Sequence, residues 1–214
     1  AHHAGKQSKT KEEISKMESI KTLAIMTRVH PQRPNMLKKC VESVQAQTSE
    51  DYIHILIRDD KTGRGYGKLA ANRSFSKIKD IPAKYVMVLD DDDMLVNPEF
   101  VEDFATMIET KKILFSRIPE IVFFKGIIHK LGIMPRPAYW KKPPVYGQIG
   151  SFCFATRTEV WLKYVHAFGL RKLGGDYSYI STAYRNTKDH VWWDEIIART
   201  QKGPGRSKGE CDHA

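Results

Sequence analysis

Residues 85–89 (YVMVL) are too apolar for a surface loop, yet they run without a break into four aspartates, Asp90, Asp91, Asp92 and Asp93. Four carboxylates at the mouth of a buried strand are costly, because like charges a few ångströms apart raise one another's pKa values. The fold must therefore bury the apolar part and deliver the acidic part to an edge. An open sheet does this, since its ligands bind outside the carboxyl ends of the strands. The pattern has a precedent earlier in the chain. Residues 52–58 (YIHILIR) are β-branched and apolar, and they close with Asp59 and Asp60.

Helical segments alternate with these strands. Residues 22–27 (TLAIMT) read as a first buried strand. Asn35 is a candidate cap for a helix with Leu37, Cys40, Val41 and Val44 at i, i+3, i+4 and i+7. A glycine-rich loop at 62–67 precedes a helical stretch at 68–78. Asn97 and Pro98 read as a cap with proline at the first helical position, followed by an apolar face of Val101, Phe104, Ala105 and Ile108. Residues 121–124 and 151–155 are further strand candidates. Thr158 is placed to cap a helix that turns Trp161, Tyr164, Val165 and Phe168 inward and ends at Gly169. This order predicts an α/β fold with a mostly parallel sheet, helices on both faces, and both acidic sets at one edge. The expected organisation is a tag or leader at 1–16, a single domain at 17–201, and a flexible tail or truncated linker at 202–214.

The formal charge of +10 over 214 residues invites a nucleic-acid reading. The positive charge is nevertheless diffuse, with no block of five like charges. No RRM, zinc-finger or homeodomain motif is present. Diffuse charge suits an anionic ligand equally well. Cys40, Cys153 and Cys211 are odd in number and far apart, which excludes a disulfide framework and a cysteine-rich zinc module. No apolar run approaches the ~18 residues of a membrane span, and the N-terminus lacks the apolar core of a signal peptide. A cytoplasmic protein is expected.

A divalent cation would relieve the aspartate run. Hard oxygen ligands select Mg²⁺ or Mn²⁺, and Mg²⁺ usually takes one or two carboxylates together with substrate phosphates. The competing reading makes Asp93 a helix cap and leaves the other three solvated.

The run Thr27-Arg28-Val29-His30, the helix LKKCVESVQAQ at 37–47, the strand ending in Arg58-Asp59-Asp60 and the segment Leu89-Asp90-Asp91-Asp92-Asp93 together resemble GT-A glycosyltransferases of the family 2 type. In that family a strand precedes a helix reading "L..C..S...Q", then a strand ending "DD.S", an "ARN.G" segment and "LD.DD". The match also resembles protein-glycosylating enzymes encoded by algal (chlorella) viruses, in which such a module heads a longer multidomain chain. The resemblance implies a GT-A (Rossmann-like) fold, a UDP-sugar donor, Mn²⁺ or Mg²⁺, and inverting transfer to a hydroxyl of a glycan or glycoprotein. It implies host cytoplasm if the protein is viral, and no nucleic-acid partner.

By the same resemblance, Thr27 and Val29 border the base, and Asp59 or Asp60 bonds the uracil or ribose. Asp90 meets the ribose or metal, Asp91 belongs to the donor-binding run, and Asp92 ligates the metal and through it the diphosphate. At "ARN.G" the chain departs from the pattern and reads Ala70-Ala71-Asn72-Arg73-Ser74. Asn72 fits, but the expected arginine is Ala71, so Arg73, Lys68 or Arg64 is left to contact the diphosphate. Gly174-Gly175-Asp176-Tyr177 matches the segment that carries the general base. Asp176 is therefore the candidate base, or alternatively the cap of a helix at 177–185. His190 is a candidate extra metal contact, or a structural histidine. Tyr139 and Trp140, beside Lys141, Lys142, Pro143 and Pro144, are placed either to touch a sugar or to stiffen the loop.

Two other classes compete. A haloacid-dehalogenase-type phosphatase would use a "D.DGT" loop, but that loop needs Gly-Thr where this chain has Asp93-Met94, and it sits on the first strand. A non-enzymatic nucleic-acid binder is suggested by charge alone and leaves the aspartates unexplained.

Overall fold

The computed structural model describes residues 20–58, 74–128, 131–170 and 174–201. The leader, the tail, the glycine-rich loop and the candidates Asp59, Asp60, Arg64, Lys68, Asn72 and Arg73 lie outside the described residues. The strands are β1 (Lys21–Val29), β2 (Tyr52–Arg58), β3 (Ala83–Val88), β4 (Asp93–Leu95), β5 (Ile121–Ile128), β6 (Gly132–Met134), β7 (Phe154–Arg157) and β8 (His190–Thr200). They form one sheet in the order β2-β1-β3-β7-β5-β8-β4, with β6 paired to β5. β1, β2 and β3 are mutually parallel, and β5 and β8 point the same way; β4, β6 and β7 run against them. This is a mixed α/β single domain with a mostly parallel sheet, as the alternation of elements required.

The helices are α1 (Pro34–Gln45), α2 (Phe100–Phe115), α3 (Thr158–Tyr164) and α4 (Gly175–Asn186). Adjacent strand residues point to opposite faces, so the ring contacts show that both faces are covered. On one face, Tyr85, Phe124 and Trp193 meet Phe100 and Phe104 of α2. On the other, Phe123, Phe154 and Trp192 share a layer with α3 and α4: Phe123 meets Tyr184, and Phe154 meets Tyr179. Tyr179 itself packs on Trp161 and Phe168. Central β1 is buried on both sides from Thr22 to Thr27, which explains its unbroken apolar run.

Several boundaries move. α1 starts at Pro34 with Arg33 in the cap position, because proline suits the first helical position and leaves Asn35 inside the helix. α2 starts at Phe100, with Asn97 Oδ1 accepting from the Glu99 N–H at 2.9 Å. Thr158 does not cap α3; its hydroxyl donates to the Ala83 carbonyl across the chain. α3 stops at Tyr164 and continues to Leu170 as a 3₁₀ turn. Of the helix expected at 68–78, the described part is a 3₁₀ turn, Phe75–Lys77. Among the described residues, Cys40 and Cys153 are buried thiols without a disulfide. No helix there is long and apolar enough to cross a membrane.

Candidate active site

The site is built at the carboxyl ends of β1 and β3. The Leu89 N–H donates to the Met26 carbonyl at 3.0 Å, extending the β1–β3 ladder. The chain then turns, with the Asp93 N–H reaching the Asp90 carbonyl at 2.9 Å. Asp93 enters β4 opposite Thr200 of β8. Gln201 clamps the turn. Its backbone N–H donates to the Asp92 carbonyl at 2.7 Å, and its side-chain amide reaches Met36, Asp91 and Asp93 carbonyls at 2.9–3.4 Å. With the backbone fixed from behind, Asp90, Asp92 and Asp93 each present a ligand oxygen within 4.8 Å of the others.

Two arginines answer this charge. Arg28, at the end of β1, holds Asp90 through Nε at 2.8 Å and Nη2 at 2.6 and 2.7 Å. It also lies 5.2 Å over the Phe75 ring. The Ser151 hydroxyl donates to Asp90 at 3.1 Å. Burial alone would lower the Arg28 pKa, but Asp90, Asp176 and Asp92 hold it above its usual value. Arg33 bridges buried Asp91 at 3.2 Å and half-buried Asp92 at 2.9 Å. Asp91 also accepts the His30 backbone N–H at 2.5 Å.

The balance still disfavours full ionisation. Burial pushes Asp91 up to about 7 against the pull of the His30 N–H and Arg33. Asp92 is raised by burial and then by Asp90. Asp93 is raised well above the carboxylate range by burial and by Asp92, Asp90 and Asp91. Clustered, hard, partly desolvated carboxylates of this kind fit a Mg²⁺- or Mn²⁺-sized cation. Asp90, Asp92 and Asp93 are the residues that would hold it.

Asp176 stands in the first turn of α4, where the helix dipole favours a carboxylate. It is not the cap. Gly174 holds that position at φ 74°, and a Cβ there would lie 2.4 Å from the Tyr146 ring. Asp176 Oδ1 accepts the Tyr177 N–H at 2.9 Å. Its charge raises the pKa of both Arg28 and Cys153, so it shares the electrostatic neighbourhood of Asp90.

Other candidates are placed elsewhere. His190 starts β8, whereas Thr200 at the other end pairs with Asp93. His190 and Arg199 pair with Ile121 and Ile127 of β5, which are roughly 20 Å apart along that strand, so the metal assignment of His190 gives way to Asp93. His190 instead stacks on Tyr184 at 4.2 Å and shares a hydrogen bond with Thr187 at 2.8 Å. Thr27 and Val29 are buried, and the Thr27 hydroxyl is engaged by His54 Nε2 at 2.9 Å. Between them, Arg28 faces the aspartates, as the two-residue period of a strand dictates. Trp140 packs edge-on to Trp192 at 5.0 Å with Lys125 over its ring.

Sequence reasoning passed over Arg28, Arg33, Ser151 and Gln201. Period two counted from buried Thr27 was enough to find Arg28. Arg33, Ser151 and Gln201 arrive through tertiary contacts with no local signal.

No protein-family model and no curated protein sequence matches the chain. Solved structures do share the architecture. Staphylococcus aureus TarS 1–349 is 14% identical with a TM-score of 0.64, the match covering 84% of this chain and 60% of that one. TarS 1–349 in complex with UDP-GlcNAc is 13% identical with a TM-score of 0.64, covering 90% and 61%. A glycosyltransferase involved in the glycosylation of the major capsid of PBCV-1 is 12% identical with a TM-score of 0.53, covering 87% and 95%. The chain thus spans about three fifths of the TarS 1–349 length. At these identities the likeness establishes the fold, a Rossmann-like glycosyltransferase fold.

Proposed function

We propose that the chain is a metal-dependent, inverting GT-A glycosyltransferase that moves a sugar from a UDP-sugar to a hydroxyl of a glycan or glycoprotein. The observation that carries this reading is the convergence of Asp90, Asp92 and Asp93 oxygens within 4.8 Å at the carboxyl edge of the sheet. It is supported by the shared fold with a protein whose structure contains UDP-GlcNAc. When bound, Mn²⁺ or Mg²⁺ supplies electrostatic stabilisation for the charge that grows on the departing diphosphate. In this reading the chain's own residues do the rest. Asp90, Asp92 and Asp93 hold the cation. Arg28 and Arg33 fix the carboxylates in register before donor arrives, so little reorganisation is left for the reaction. Asp176 takes the proton from the acceptor hydroxyl as that oxygen attacks the anomeric carbon from the face opposite the leaving group. The donor would be shared with Asp59 or Asp60, with Asn72, and with a cation among Arg64, Lys68 and Arg73. The domain would work as part of a longer chain.

UDP should raise the melting temperature strongly with Mn²⁺ and weakly with a chelator. Asp176→Asn should keep that shift while UDP release from a UDP-sugar in the presence of mixed glycan acceptors falls by roughly 10²–10⁴-fold. Wild-type turnover in Asp176→Asn places the base elsewhere; a UDP shift indifferent to metal rejects the metal-dependent reading.

A further inference from the structure

Beyond the aspartates, a groove of about 400 Å³ opens between Pro143 and Pro144 on one side and α4 on the other. Its helical wall is formed by Tyr177, Ser181, Tyr184 and Arg185, which share one face at i, i+4, i+7 and i+8. The face begins one residue beyond Asp176 and runs roughly 12 Å along the helix axis, room for more than one sugar ring.

The lining is suited to carbohydrate. Tyrosine rings offer flat apolar surfaces, and Ser181 and Thr182 add hydroxyls between them. Ser178 also lines the groove at 7% exposure, and its hydroxyl has no hydrogen-bond partner among the described residues. A buried polar atom left unpaired is costly, and a ligand hydroxyl would satisfy it. The platform is rigid. Tyr184 is stacked on His190, which Thr187 in turn holds. Tyr177 is braced edge-on by Tyr146 at 5.6 Å. Arg185 is fixed through Nε to the Ser181 carbonyl at 3.0 Å.

We propose that this groove binds the acceptor as an extended oligosaccharide, its terminal hydroxyl at Asp176 and its preceding sugars laid along α4 toward Arg185. The proposal rests on the glycosyltransferase reading and narrows the acceptor from a glycan or glycoprotein of any size to an extended oligosaccharide chain. On it, His190 serves as the support of a sugar platform.

The test uses the full chain on an array of monosaccharides and progressively longer linear oligosaccharides, printed free and on peptides, with UDP·Mn²⁺ binding followed separately by thermal shift. The wild-type chain should retain oligosaccharides over monosaccharides. Ser181→Trp, which fills the groove, and Arg185→Ala, which shortens it, should each weaken retention by roughly tenfold while the UDP·Mn²⁺ shift persists. Preference for the peptide-borne spots would identify a protein-linked glycan, preference for the free spots a free one, and equal retention would show that the groove reads the sugars alone. Undiminished retention in both variants, or no oligosaccharide retained by a chain that still binds UDP·Mn²⁺, overturns the groove. Retention without any nucleotide binding overturns the proposed function and leaves the groove standing.

Discussion

Asp92 is the residue at which stability and proposed function pull in opposite directions. Burial and Asp90 raise its pKa, and Arg33 only partly offsets them, so the fold is strained by the charge it holds there. Asp92→Asn keeps the shape and removes the charge. With a chelator present the variant should be more stable than the native chain by about 1 kcal/mol, or ~2–4 °C for a chain of this size. The stabilisation that Mn²⁺ gives the native chain by binding only its folded state should vanish in the variant. Thermal melts with chelator and with Mn²⁺ measure both. A lower chelated melting temperature would mean that the Arg33 pairing outweighs the repulsion. A retained Mn²⁺ shift would remove Asp92 from the site.

Elements were legible where burial alone wrote the pattern. β1, β3 and β5 appear as short apolar runs because they are covered on both faces, and β2 reads the same way although it lies half-buried at the sheet edge. The aspartates are placed at the strand ends by that reading alone. β8 was not legible. Its run HVWWDEIIART carries Asp194 and Glu195, and Trp192 and Trp193 serve opposite faces, so neither an apolar run nor a clean alternation survives. The capping expectations at Asn35 and Thr158 failed for a related reason: Pro34 and a contact with Ala83 outcompeted local capping chemistry. The start of α4 shows the opposite case, a local residue with a tertiary consequence. Gly174 adopts φ 74° against the Tyr146 ring. Alanine there costs roughly 1–2 kcal/mol for the left-handed backbone and must also displace Tyr146. Gly174→Ala should therefore lower the melting temperature by several degrees, and it should cut sugar transfer more than UDP·Mn²⁺ binding, since α4 carries Asp176 and not the aspartate turn. Equal losses in both would show that the helix start and the nucleotide site move as one unit.

At the scale of the whole molecule, half-buried His54 and buried Asp91 set opposing pH dependences. Burial lowers His54 from 6.5 to about 4, so between those values the unfolded chain binds more protons than the folded one. Its contribution is complete above pH 6.5 and is lost as pH falls toward 4. Burial raises Asp91 from 3.8 to about 7. Here the folded chain binds more protons, so this contribution is complete below pH 3.8 and is lost as pH rises toward 7. The windows coincide, and each separation corresponds to roughly 3–4 kcal/mol before solvent screening, so in the metal-free chain they offset one another. His54→Gln, which keeps a partner for Thr27, should remove the acid-side loss. Relative to native, the variant should gain stability steadily from pH 6.5 to 4. Asp91→Asn should gain relative to native in the reverse direction, from pH 4 to 7. Denaturant titrations of the three proteins across this range, in chelator, measure both differences. Parallel curves would mean that neither group titrates with folding, and two differences that slope the same way with pH would mean that one of the environments is assigned the wrong charge.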